Sequence, residues 1–478
     1  MGRKRVLSCL LCLAGAWGAH AAEVFADDWE GELIFDGTTD VEIPVAAAVR
    51  QWSPEGEVFV LFETRRDDAG DWRRDLAISH NTCSIGDECA TATVDTSPDA
   101  ITDAHLADVQ LLPSMAIAQY DGERFLHVVR KNRDVDSCDS DGVSYEEETV
   151  GSDDYVATGA AEEVWTTDGR GWFAQHVIET VSSSVCDRIG SSFTKFVPST
   201  KAATCYTFDP IDSAGTCRVR CGERPVSSSW SMASIDNDGD SNDHAVWTYL
   251  GAAGHVDADQ GVALRADLKE INLRYIDTSV TTFGSVEMQR SESPDTETDK
   301  ADYPWIVRNS GNTLFTTWHE KQDSGEADSL ARFYGCTSAS DCTDSGALAE
   351  QWYGDDWGVP TTIAEGRKIQ HVEIAVEGVR QFVIYGADTG GAGDDFMRVY
   401  FTWRCDGTEA WETPVKLFEP NVEDWDTMLD FGRPHLVLNR SDDMVHVVFH
   451  EQNEDTSDLS DVHDGNVWWL HRPYPSCS

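Results

Sequence analysis

Two strand-like runs close on the same dipeptide, Trp318-His319-Glu320 and Phe449-His450-Glu451. An imidazole beside a carboxylate can take and return a proton near neutral pH, which is what general acid/base chemistry requires. Other such runs end in Glu63, Arg65, Arg130, Lys131, Tyr249 or Tyr385, or begin at Asp302, Tyr303, His371, Arg433 or His435. If these ends converge, Arg65 or Arg130 can clamp the carboxylate of an acidic sugar while His319, His450 or Tyr249 moves a proton. The imidazoles of His319, His371, His435 and His450 are equally donors for a transition metal. The plainer reading is hydrogen bonding alone, because polar residues belong where strands leave a sheet.

A second cluster is Asp236-Asn-Asp238-Gly-Asp240-Ser-Asn-Asp243. Alternate carboxylates in a loop with glycine gather several oxygens around one hard cation, as calcium requires. The run resembles the calcium loops of integrin-type propeller repeats, with its last Asp one residue early. The resemblance implies a calcium ion held by Asp236, Asp238, Asp240 and Asp243; a solvated acidic turn is the other reading. No organic cofactor is expected, since the chain has no P-loop, dinucleotide fingerprint, nucleophile elbow or haem motif.

The elements that position these residues repeat. A short apolar run, a polar turn and a second apolar run ending in charge recur at Ile43–Val49 with Val58–Phe62, and at Pro113–Ala118 with Phe125–Val129. They recur again at Trp230–Ile235 with His244–Tyr249, at Tyr303–Val307 with Leu314–Trp318, at His371–Val376 with Phe382–Tyr385, and at Pro434–Leu438 with Val445–Phe449. Further strand-like runs between copies leave room for four antiparallel strands per unit. The expected fold is therefore all-β, a six-bladed β-propeller, with seven blades as the alternative. The excess of chain between the second and third copies, about 134–225, is expected to be a Cys-rich insertion in a single domain spanning 23–478. Only Asn466–His471 remains after the last copy, whereas Gly31–Phe35 precedes the first, so the N-terminal strand is expected to complete the last blade and remove an open edge.

Residues 1–22 have the basic, apolar, small-x-small order of a secretory leader, with Met1-Gly-Arg-Lys-Arg5 followed by Val6–Ala19 and Ala19-His-Ala21. Export, to the medium or a periplasm, places the cysteines where disulfides persist. Cys9 and Cys12 lie in the leader, and an odd number remains. Cys83 with Cys89 and Cys336 with Cys342 are expected as local bridges at hairpin turns, and Cys405 with Cys477 as a distant one. The pairing of Cys138, Cys186, Cys205, Cys217 and Cys221 stays open.

Two turns, Trp403-Arg-Cys-Asp406-Gly407-Thr-Glu-Ala-Trp411 and Trp165-Thr-Thr-Asp168-Gly169-Arg-Gly-Trp172, place Asp-Gly ahead of a tryptophan. Each resembles the Asp-box of the sialidase-like, BNR-repeat propellers, in a degenerate form. The resemblance implies the propeller fold, with the aspartate ordering the turn and the aromatic packing on the blade. Where a sialidase places arginine before Ile-Pro, this chain has Val41-Glu42-Ile43-Pro44, so the likeness extends to fold and not to sialidase activity.

Composition narrows the partner. The 478 residues carry 86 Asp and Glu against 36 Lys and Arg, a formal charge of −50, which excludes nucleic acid and anionic membranes as partners. No window after the leader is apolar enough to insert in a membrane. Two readings follow: an exported propeller that binds a glycan or a protein surface, or a carbohydrate-active enzyme, a polysaccharide lyase or glycoside hydrolase. Of the basic residues 27 are Arg and 9 Lys, a balance suited to solubility at high salt.

Overall fold

The computed structural model describes residues 24–26, 28–36, 43–52, 57–68, 71–83, 92–93, 99–100, 105–106, 114–120, 123–132, 142–149, 173–180, 187–196, 201–210, 218–225, 231–236, 250–254, 260–267, 270–277, 285–289, 300–308, 314–322, 328–336, 369–388, 397–405, 411–419, 434–439, 443–452 and 465–477. Almost all of these are in strands, and no described helix is long and apolar enough to cross a membrane.

The strands form a succession of antiparallel sheets, all but the last built from consecutive segments, beside a short pairing of Val24–Phe25 with Phe418–Glu419. The first holds Ile43–Trp52, Glu57–Asp68 and Asp71–Cys83, with short strands paired to the last of these. The second holds Ser114–Tyr120, Glu123–Asn132, Gly142–Thr149 and Phe173–Thr180; the third, Asp187–Phe196, Lys201–Pro210, Arg218–Pro225 and Ser231–Asp236. Leu250–Gly254, Gln260–Asp267, Glu270–Asp277 and Ser285–Gln289 make the fourth, and Lys300–Arg308, Leu314–Gln322 and Asp328–Cys336 the fifth. The sixth comprises Ile369–Glu377, Arg380–Asp388, Met397–Arg404 and Val415–Lys416. The seventh comprises His435–Asn439, Met444–Gln452 and Gly465–Pro473, with Glu30–Asp36 from the N-terminus as its fourth strand. The leading strands of successive sheets lie against one another in chain order, and that of the seventh returns against that of the first. This closed circuit of sheets is the arrangement of a propeller, and the N-terminal strand completes the last sheet as expected.

Why these segments form strands is plainest in the sixth and seventh sheets, which are buried on both faces. Along Phe382-Val-Ile-Tyr385 the odd and even residues point to opposite sides. Phe382 and Ile384 pack against Val445, Val447, Phe449 and Trp468 of the seventh sheet, whereas Val383 and Tyr385 pack towards Phe315 of the fifth. A strand covered on both sides must be apolar throughout, which explains the unbroken runs. Gly378, at φ 59, makes the tight turn between Glu377 and Arg380, a conformation that a residue with a Cβ adopts only with strain. Between the seventh and first sheets, Ile34, Val448, Val467 and Trp469 meet Val58, Val60 and Phe62. Each such side chain contributes about 1.5–3 kcal/mol by leaving water.

Ser231–Asp236 pairs with Arg218–Pro225, as the last strand of the third sheet; 244–249, the partner expected for it, lies outside the described residues. An apolar run before an acidic turn fits the end of one sheet as well as the start of another, so local pattern does not fix its partner. Strands also run through much of 134–225, in the second and third sheets. These strands are rich in Ser, Thr and Cys, so their apolar alternation is weak.

Cys405 and Cys477 are joined, tying the end of the third strand of the sixth sheet to the tail that follows the seventh. Cys83 and Cys336 end strands, and their expected partners Cys89 and Cys342 lie outside the described residues. Register sets Cys205 directly opposite Cys221 on adjacent antiparallel strands, within the Cα separation that a disulfide spans. Peptide mapping without reduction is therefore expected to recover a Cys405–Cys477 link and a Cys205–Cys221 link. Recovery of Cys205 bound to any other cysteine would contradict the register.

Candidate functional site

Three neighbouring leading strands, Lys300–Arg308, Ile369–Glu377 and His435–Asn439, bring Trp305, Glu373 and His435 together. Each leading strand has a sheet neighbour on one side only, which leaves backbone groups on the other edge to be satisfied across the gap between sheets. Side chains meet that need here. Thr317 donates its hydroxyl to the carbonyl of Val372 at 2.9 Å, and the Trp305 indole N–H donates to the carbonyl of Ile374 at 3.1 Å. One step further round, the backbone N–H of Leu436 donates to Glu373 Oε2 at 3.0 Å.

The other oxygen of Glu373, Oε1, stands 2.7 Å from His435 Nδ1. Glu373 is 3% exposed and His435 14%, so the carboxylate is enclosed while the imidazole keeps one side towards solvent. A carboxylate facing Nδ1 favours a proton on that nitrogen and orients the ring. Nε2 then becomes the acceptor, available to a ligand hydroxyl or a transferring proton. The Trp305 ring lies 6.2 Å from the imidazole, centroid to centroid, tilted by 50°. Its N–H is already committed to Ile374, so the indole is held in one orientation. Register shifts fall beside this cluster, between Asp302 and Trp305 and between Gln370 and Glu373; bulges of this kind re-aim side chains near the ends of strands.

Among the described residues expected at the site, His435 is the one whose side chain reaches this cluster. His450 is fully buried on the face that meets the first sheet. Tyr385 is also fully buried, stacked on Tyr400 with centroids 5.6 Å apart, and burial followed by the neighbouring Tyr400 pushes its hydroxyl far above the ordinary range. Neither group faces solvent to meet a ligand. Asp302 is opposite His319 in register, and Arg65 opposite Ile43, while Arg130 and His371 lie within strands. The side chains of His319, His371, Arg65 and Arg130 lie outside the described residues, as does Tyr249. Asp236 ends a strand, and Asp238, Asp240 and Asp243 lie outside the described residues. Among the described residues no group of three or more His, Cys, Asp and Glu is placed to hold a metal ion.

Sequence reasoning missed Glu373 and Trp305. The signal for Glu373 was its position: a lone acid inside His371-Val-Glu-Ile-Ala-Val376, at the centre of a run buried on both faces, is costly unless it has partners. Arg404 gives no such lead to a ligand. It is 2% exposed, donates through Nε to Gln381 Oε1 at 2.8 Å and lies over the Trp411 ring at 4.4 Å, a packing role within the sixth sheet. Trp411 itself is buried between the fifth and sixth sheets, and Asp406 and Gly407 of the same turn lie outside the described residues.

No family model and no curated protein matches the chain. Several solved structures resemble it at low identity. An alpha-L-arabinanase of Penicillium chrysogenum, solved with arabinobiose, shares 11% identity over 82% of this chain and 100% of its own, with a TM-score of 0.42. The NanB sialidase of Streptococcus pneumoniae shares 11% over 92% of this chain and 70% of its own, with a TM-score of 0.41. A protein of unknown function from Dyadobacter fermentans shares 10% over 93% of this chain and 99% of its own, with a TM-score of 0.43. At such identities none of them fixes what this chain binds or does.

Proposed function

We propose that the chain is an exported, strongly acidic β-propeller of seven blades that binds an extracellular glycan at the Trp305–Glu373–His435 cluster. The blade count is supported by the order in which the leading strands meet, from the first sheet through the seventh and back to the first. The observation that carries the binding reading is the cluster itself, a fixed indole beside an imidazole whose Nδ1 faces a buried carboxylate. A fixed aromatic face stacks on the C–H surface of a sugar ring, and an oriented nitrogen hydrogen-bonds its hydroxyls.

A second reading has one observation in its favour. The Glu373–His435 pair also has the form of a general base with its orienting carboxylate, as a polysaccharide lyase or glycoside hydrolase uses to move a proton. Affinity electrophoresis of the secreted protein through gels containing neutral or uronate polysaccharides tests the first reading. Unsaturated-product absorbance and reducing ends, measured in the same mixtures, test the second. Retardation by one polysaccharide without product supports binding; product formation establishes the enzyme; migration unchanged by every polysaccharide removes the glycan proposal.

A further inference from the structure

The seam that closes the circuit of sheets, between the seventh and the first, contains three buried imidazoles that serve no site described above, His446, His450 and His471, and the first and last of these form a pair. His446 and His471 are 0% and 1% exposed and stand opposite each other on adjacent strands, with ring centroids 6.3 Å apart. They share the face of Val448 and Trp469, which meets Val58, Val60 and Phe62 of the first sheet. His446 Nδ1 accepts from the Trp469 indole N–H at 3.1 Å, and the Trp469 and His471 rings are 5.0 Å apart. His446 Nε2 and both nitrogens of His471 have no hydrogen-bond partner among the described residues.

This arrangement fixes a protonation state. An Nδ1 that accepts from an indole carries no proton, so neutral His446 has its proton on Nε2. A second proton can go only to Nδ1, where it would face the indole N–H, donor against donor. The charge would also arrive in an apolar seam. Burial, and for His446 the neighbouring His471, lowers the two imidazoles from the ordinary value to about 3 and about 4. Other titratable groups face the pair from the seventh sheet and the N-terminal strand. Glu30 is opposite His471 and Glu32 opposite Trp469, and His450 lies further along the same strand as His446. Glu30 is exposed, and Glu32 is half-buried with its carboxyl raised by burial and by Glu30. From the first sheet the described polar residues buried nearby are Ser79 and Asn81, which are uncharged.

We propose that the His446–His471 pair is an acid-operated catch: neutral, it lets the first and seventh sheets close on each other, and protonated, it loosens that seam ahead of the others. The unfolded chain binds these protons at a higher pH than the folded one. Stability contributed by the seam is therefore complete above about pH 6.5 and falls as pH drops from there towards 3.

Hydrogen exchange read by mass spectrometry, corrected for the intrinsic pH dependence of the amides, tests this on the secreted chain at pH 7 and pH 5. The expected result is a protection loss of tenfold or more in Glu57–Asp68 and Gly465–Pro473, with Ile369–Glu377 and Leu314–Gln322 of the fifth–sixth seam changing less than threefold. A chain carrying His446→Gln, whose amide oxygen still accepts from Trp469, together with His471→Phe should keep its protection at pH 5. Imidazole NMR of the unaltered chain reads the same point without substitution, and two rings should remain neutral at pH 5.5. Uniform exchange across the seams, an altered chain as acid-sensitive as the original, or all rings titrating near 6.5 would each overturn the proposal.

Discussion

Glu373→Ala is expected to abolish glycan retention and to destabilise the protein by about 2–4 kcal/mol, the range for removing one partner from a buried, hydrogen-bonded charge cluster. The substitution leaves the Leu436 N–H without its acceptor and removes the carboxylate that stands 2.7 Å from His435 Nδ1, at the junction of the sixth and seventh sheets. Glu373→Gln separates the two effects. Its amide oxygen can still accept from Leu436, so most of the stability should return. The charge facing His435 is gone, so the ring loses its preferred tautomer and binding should stay at least tenfold weaker. Denaturant titration and affinity electrophoresis on both variants check this; full binding by Glu373→Gln would show that the carboxylate does not orient the imidazole.

Removing the N-terminal segment through Asp36 should have the larger effect on folding. That segment supplies the fourth strand of the seventh sheet, where Leu33 is opposite Trp468 and Phe35 opposite Val467. It also carries Trp29, which packs edge-on to Phe401 at 5.0 Å, and Ile34, buried in the closing seam. Losing four large apolar side chains forfeits roughly 6–12 kcal/mol, comparable with the whole stability of an ordinary domain. The chain without residues 1–36 is expected to be insoluble, or to melt roughly 10 °C lower by circular dichroism. An unchanged melting temperature would mean that the last sheet closes without it.

Much of the architecture could be read from the sequence because strand pairing between near neighbours is written in local pattern. Phe382–Tyr385 follows His371–Val376 across a short turn, and the two pair as expected. The closure by Gly31–Phe35 was legible from a shortage, one strand missing at the C-terminus and one spare at the N-terminus, and Cys405–Cys477 followed from the same ends. Ser231–Asp236 also pairs backward, with Arg218–Pro225, because a strand's pattern does not say on which side its partner lies.

The candidate site was legible only in part, for a different physical reason. His435 could be found from its place at the start of a strand. Its partners come from other sheets, and contacts between sheets leave no periodic trace in the chain. Glu373 announces itself only as a charge in an apolar run, and Trp305 looks like any core aromatic until its N–H is seen to bond Ile374. The alternation of Met444–Gln452 puts His450, fully buried, on the face of Val448, which is opposite His435 in register.

The most direct measurement is calorimetric titration of the polysaccharide that retards the protein most, against the unaltered chain, Trp305→Ala and His435→Ala. One class of site is expected on the unaltered chain and a loss of tenfold or more in affinity for each variant, with both variants still folded by circular dichroism. Equal affinity in all three would place the glycan elsewhere on the molecule and contradict the assignment of this cluster.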